Sequence, residues 1–147
     1  MKIVLISCVS KKQEETKGNT VSAKNLYASP LFIKAWNYAK NIITPGDRIY
    51  ILSAKYGLLS PDKEIKWYDE TLYKQSVEKR KQWADEVLKN LRKEGCDLEN
   101  DEFILLAGDI YCKYLLGKNG IRNAHQVYKE NNLKGIGYIL KYLSDIK

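Results

Sequence analysis

Three short apolar runs, each closing on small residues and separated by amphipathic stretches, constrain this chain more than any single motif does. The runs are Lys2 to Ser7, Arg48 to Ser53 and Asp101 to Ala107, all rich in Ile, Val and Leu. Runs of that length and composition read as buried strands. Between the first two, Ser29-Pro30 supplies a helix cap and a first-turn proline. Leu31, Phe32, Ala35, Trp36, Ala39 and Ile43 then follow at helical spacing until Pro45-Gly46 stops them. Between the second and third, Val77, Trp83, Val87, Leu88 and Leu91 mark an amphipathic helix from Gln75 to about Glu94, ended by Gly95. After the third, Asp109 reads as the cap of a short helix through Leu116. Gly117 to Gly120 reads as a turn, and Gly135 to Ile146 as a last helix. Strands alternating with helices predict an α/β fold, three layers deep, with a short, mostly parallel sheet covered on both faces.

At 147 residues with 44% hydrophobic content the chain has the size of one domain with one core, residues 1–147. Charged residues make up 29%, and no apolar run approaches the roughly 18 residues that span a bilayer. The opening Met1 to Ile6 is too short for a secretion signal, so a cytoplasmic protein that avoids membranes is expected. Cys8, Cys96 and Cys112 form no CxxC pair and His125 is the single histidine. Neither a disulfide nor a metal site is therefore expected, although Asp62, Asp69 and Asp109 would suit magnesium if the fold gathered them. No cofactor is expected, and the chain reads as a monomer.

The formal net charge is +7, and it is unevenly placed: residues 1–60 carry nine Lys or Arg against three Asp or Glu, the remainder sixteen against fifteen. A basic excess on one segment favours an anionic partner, a nucleic acid or a nucleotide.

Four constellations lie at or near predicted strand ends. Ser7-Cys8-Val9-Ser10-Lys11-Lys12 places hydroxyls and two ammonium groups after the first strand, as a phosphate site needs, without the glycines of a Walker A loop. Cys8 beside lysines has the setting of a lowered thiol pKa, yet no histidine is near, and a small buried hydrophobe is its plainer role. Tyr27 precedes the Ser29 cap and could stack on a ligand or cover the core. Ser53-Ala54-Lys55-Tyr56-Gly57 follows the second strand, with Tyr68, Asp69 and Thr71 on the loop beyond. Lysine for phosphate, tyrosine for stacking and a carboxylate for sugar or base would together make a nucleotide pocket. Last, Gly108 after the third strand could let a ligand approach the backbone, with Asp109 as a helix cap beside it. His125 reads as a surface residue.

Ser7-Cys8 with Lys11, Leu26-Tyr27 with Ser29-Pro30-Leu31-Phe32, Ser53-Ala54-Lys55-Tyr56-Gly57-Leu58-Leu59 with Pro61, and Tyr68-Asp69 with Thr71-Leu72 resemble an uncharacterised family of short bacterial and phage proteins. Leu106-Ala107-Gly108 with Tyr111, and Leu133 to Gly137, fit the same pattern. More distantly, Ser53 to Leu72 is similar to the peroxide-stress YaaA family and to a domain of archaeosine tRNA-guanine transglycosylases. That likeness implies a uracil-DNA-glycosylase-like architecture and DNA as partner. The function expected is a DNA glycosylase-like hydrolase acting on a flipped base, phage defence being one setting for it. The alternatives are a non-catalytic DNA- or nucleotide-binding protein and a hydrolase of free nucleotides. In the catalytic reading Asp69 orients water or offsets developing charge, and Lys55, Lys11 and Lys12 hold phosphates. Tyr56 and Tyr68 stack, Gly57 allows the tight turn, and Ser7, Ser53 and Thr71 meet polar edges.

Overall fold

The computed structural model describes residues 1–7, 18–27, 29–66, 68 and 70–145. The predicted strands and long helices form where the sequence places them. β1 (Lys2–Ser7), β3 (Arg48–Ser53) and β6 (Glu102–Leu106) are the central strands; α2 (Pro30–Ile42), α3 (Val77–Lys93) and α6 (Ile136–Asp145) are the long helices. Shorter elements complete the chain: β2 (Thr20–Ser22), α1 (Ala23–Leu26), β4 (Gly57–Leu59), β5 (Glu64–Lys66), α4 (Asp109–Cys112), β7 (Ala124–Gln126) and α5 (Val127–Glu130).

The main sheet has the order β4-β3-β1-β6-β7. β3, β1, β6 and β7 run parallel, and β4 returns antiparallel on the edge of β3. β1 therefore lies at the centre, its successors filling first one side and then the other. That reversal creates a crevice at the carboxyl ends of adjacent strands, the place where open α/β sheets take ligands. β2 and β5 pair separately as a two-stranded antiparallel ribbon.

Alternation along the strands divides the core by face. Ile3 and Leu5 of β1, Tyr50 and Leu52 of β3, and Phe103 and Leu105 of β6 pack with Ala84, Val87, Leu88 and Leu91 of α3. Val4, Ile6 and Ile49 turn to the opposite face and meet Ala35, Tyr38 and Ala39 of α2 and Leu143 of α6. A third cluster, with Leu26, Tyr27, Phe32, Ile51, Ile65 and Tyr68, lies where the ribbon meets the main sheet.

The Ser29 cap forms as predicted, and α3 has a cap of its own in Ser76. Ser29 accepts from the Phe32 amide at 3.1 Å with Pro30 in the first turn, and Ser76 accepts from the Lys79 amide at 3.2 Å. Asp109 does not cap: Gly108 occupies the cap position with no side-chain bond, and the helix stops at Cys112 rather than Leu116. Without a cap oxygen the segment keeps a single α-turn before the chain turns back. No helix among the described residues is long and apolar enough to cross a membrane.

Candidate functional site at the carboxyl edge of the sheet

Parallel register brings three predicted strand ends level. Ser7 pairs with Leu52, one residue before Ser53, and Ile6 pairs with Leu106, so Ser7 stands abreast of Ala107. Ser7 is 7% exposed, and among the described residues its hydroxyl has no partner. A buried hydroxyl with unused hydrogen-bonding capacity is uncommon in a core.

Ser53, fully buried, organises the neighbouring strand end. Its hydroxyl donates to the Tyr68 hydroxyl at 2.8 Å and accepts from the Tyr56 amide at 3.0 Å, which folds residues 54–56 into a turn. Gly57 follows at φ +72°, a conformation an L side chain rarely adopts, and so lets the chain return as β4. The Ser53 carbonyl accepts from the Trp83 indole at 2.8 Å. Trp83 stands edge-on to Tyr111 with ring centroids 5.6 Å apart.

The Tyr27 and Tyr68 hydroxyls lie 2.7 Å apart, so Ser53, Tyr68 and Tyr27 form a chain of hydroxyls at the sheet edge. Both tyrosines are buried. Tyr68 stands edge-on to Tyr27 and to Tyr56, at 6.4 and 5.5 Å between centroids. Its ring is thus enclosed by protein, and the group it brings to the edge is its hydroxyl. Tyr56 is half-buried, its hydroxyl only 3.4 Å from the Lys66 carbonyl, near the limit of a hydrogen bond. Lys55 is exposed, its ammonium 5.4 Å from the Tyr56 ring centroid.

On the β6 side, Thr71 accepts from the Tyr73 amide at 3.3 Å and caps a 3-10 turn over Leu72–Lys74. Arg80 of α3 holds that turn in place: Nε donates to the Leu72 carbonyl at 2.9 Å and Nη2 to the Tyr73 carbonyl at 3.2 Å. A Cβ on Gly108 would meet the Tyr73 hydroxyl at 3.8 Å, ordinary contact, so none of the described residues demands a glycine there. Cys112 lies beneath this edge with Sγ 3.6 Å from the Ala107 carbonyl. Burial first, then the negative charge of Asp109, pushes its thiol up to about 12, so it stays protonated at neutral pH.

The structure therefore gathers Ser7, Ser53, Tyr68, Tyr27 and Tyr56 at one end of the sheet, with Thr71 and Gly108 on its β6 flank. Ser29, also buried, uses its hydroxyl on the α2 cap. Lys55 faces outward. Cys8, Lys11, Lys12 and Asp69 lie outside the described residues. Arg80 and Trp83 were not singled out as site residues from the sequence. The one available signal was Trp83, whose N–H demands a partner even on an apolar helix face. Among the described residues no three His, Cys, Asp or Glu side chains gather as metal ligands. Asp62 pairs instead with Lys24 at 2.7 Å on the surface.

Residues 3–145 match the model of a family of unknown function, DUF6884, and the chain belongs to that family. Comparison with curated proteins and with solved structures gave no match.

Proposed function

We propose that this chain takes a nucleotide unit of DNA at the carboxyl edge of its sheet and hydrolyses the N-glycosidic bond there. The observation that carries the reading is the row of buried hydroxyls at the topological switch point. Ser7 has no described partner, and beside it Ser53 and Tyr68 stand already oriented by hydrogen bonds. Hydroxyls of this kind read the polar edge of a base that has left its stack. The basic excess of residues 1–60, which supply β1 and β3, favours a polyanion as the carrier of that base.

In the proposed reaction the bond from the anomeric carbon to the base nitrogen breaks, its electron pair leaving with the base, which takes a proton from solvent. Water adds to the oxocarbenium-like sugar and loses its proton to the Asp69 carboxylate. Lys55, with Lys11 and Lys12, holds the flanking phosphates. The uracil-DNA-glycosylase-like architecture and a place in phage defence belong to this same proposal.

A binding module without chemistry is the second reading. It is favoured by the mutual satisfaction of Ser53, Tyr68 and Tyr27, which a purely structural role also explains. The test incubates the protein with duplex and single-stranded DNA carrying normal, deaminated and bulky modified bases and scores alkali-labile sites. Abasic sites formed by the native chain and lost in Asp69→Asn support hydrolysis. Salt-sensitive binding with no abasic product from any substrate overturns it in favour of the binding module.

A further inference from the structure

A second hollow opens beside this edge, on the face that carries α5 and α6. It measures about 320 Å³ and starts from Ala107 and Gly108, the strand end that Ser7 stands abreast of. That is the lower end of the range of about 300–1,000 Å³ typical of small-molecule sites. Its walls divide by chemistry. Leu133 and Ile139 supply an apolar side, and Lys129 and Lys134 two ammonium groups. Asn132 adds an amide, and Asp109, next to Gly108, a carboxylate. Asn132 sits at φ +57°, where the chain turns sharply out of α5, and that turn carries Leu133 and Lys134 to the hollow.

Apolar surface for a ring face, a carboxylate for an amino or hydroxyl group, and paired ammonium groups for a phosphate are together the complement of one nucleotide. Two lysines against one aspartate leave the hollow net positive. We infer that it is a subsite for the nucleotide next to the one held at the switch point. The neighbour's phosphate lies on Lys129 and Lys134, and its base lies against Leu133 and Ile139. The inference rests on the proposed function and sharpens it: the substrate is a polynucleotide strand crossing β6 at Gly108, not a free mononucleotide. A strand lying there would meet little side-chain bulk at Ala107-Gly108, where among the described residues a Cβ on Gly108 would touch only the Tyr73 hydroxyl, at 3.8 Å.

The test titrates isotope-labelled full-length protein with a mixed-sequence DNA decamer and, separately, with the four mononucleotides, following backbone amide shifts. The expected result is decamer-induced shifts both at residues 7, 53–57 and 68 and at residues 107–109 and 127–134. K129Q/K134Q should weaken the decamer roughly tenfold, as loss of charge-assisted phosphate contacts does, and leave mononucleotide binding at the switch point unchanged. Shifts at the switch point alone, or a double variant with native decamer affinity, overturn the subsite and leave the proposed function standing. Shifts confined to residues 127–134 overturn the switch-point reading and with it the neighbouring position of this subsite. No shift with any probe overturns both.

Discussion

Removing the Tyr68 hydroxyl while keeping its ring tests whether the Ser53–Tyr68–Tyr27 chain holds the sheet edge together. Tyr68→Phe deletes the acceptor of the Ser53 hydroxyl at 2.8 Å and the partner of Tyr27 at 2.7 Å. All three residues are less than 5% exposed, so water cannot replace those bonds without opening the edge. A buried neutral hydrogen bond contributes about 0.5–1.5 kcal/mol net, and a buried hydroxyl left without a partner costs about 1–3 kcal/mol. The expected loss is about 2–3 kcal/mol, which for a domain of this size lowers Tm by about 4–12 °C. Urea unfolding analysed by linear extrapolation measures the loss, with an unchanged slope showing that the denatured state is unaltered. Ser53→Ala completes the cycle; because Ser53 also accepts from the Tyr56 amide, its own cost is larger. The coupling between the two substitutions should be about 0.5–1.5 kcal/mol. Additivity within about 0.3 kcal/mol would refute the claim that these hydroxyls act through one another.

Gly120→Ala would place a Cβ 2.3 Å from the Leu115 carbonyl oxygen, which already accepts from the Ile121 amide. It should cost about 2–3 kcal/mol or more, whereas Gly137→Ala, in α6 with nothing within 4 Å, should stabilise by about 0.5–1 kcal/mol; equal melting temperatures for the two variants would contradict this. The Cys112 thiol, raised by burial to about 12 from an ordinary 9, holds its proton in the folded state where the unfolded chain loses it. Stability from this group is full below pH 9 and declines as pH rises toward 12, so Cys112→Ala should flatten the alkaline limb of a Tm-against-pH profile. Native Cys112 should resist alkylation at neutral pH, and rapid labelling without unfolding would count against its placement. Asp47 accepts from the Thr44 and Lys2 amides, which hold its carboxyl below the usual range. Its contribution is present above that range and lost as pH falls through the lowered pKa. Asp47→Asn should therefore reduce the drop in Tm on acidification, and an unaltered acid limb would show that these bonds are not sensed.

The sequence made the long elements legible because their signals are redundant. β1, β3 and β6 combine an apolar run with a small-residue stop, and α2 combines a cap, a proline and a face of apolar spacing. β7 was not legible: Ala124-His125-Gln126 has no apolar run, and it joins the sheet through backbone pairing to Phe103, Ile104 and Leu105. His125 is exposed there as expected, between Glu102 and Glu130 at 3.4 Å each. β2, β4 and β5 are three residues each, too short for alternation to register. At the site, Ser7, Ser53 and Gly57 are legible as strand-end chemistry; parallel register brings Ser7 and Ser53 nearly level, and Gly57 pairs with Ser53 on the antiparallel return. The sequence marks Tyr68 for stacking and the structure engages its hydroxyl with Ser53 and Tyr27, because nothing in a sequence separates a stacking tyrosine from one whose hydroxyl closes a buried chain. The Arg80 hold on residues 72 and 73 is not legible in the sequence because it runs from a helix to loop carbonyls, which leave no mark in side-chain pattern.

The central claim, that a nucleotide lands at the carboxyl edge of the sheet, is tested most directly by photocrosslinking. A single-stranded oligonucleotide carrying 4-thiothymidine is bound and irradiated, and the adducts are located by mass spectrometry. The account predicts adducts in the peptides that contain Ser7 to Lys12, Tyr56 or Tyr68 to Tyr73, suppressed by excess unlabelled strand. Adducts confined to the outer surface of α3, at Lys81 or Lys89, would contradict it, as would a strand that leaves no adduct at any position.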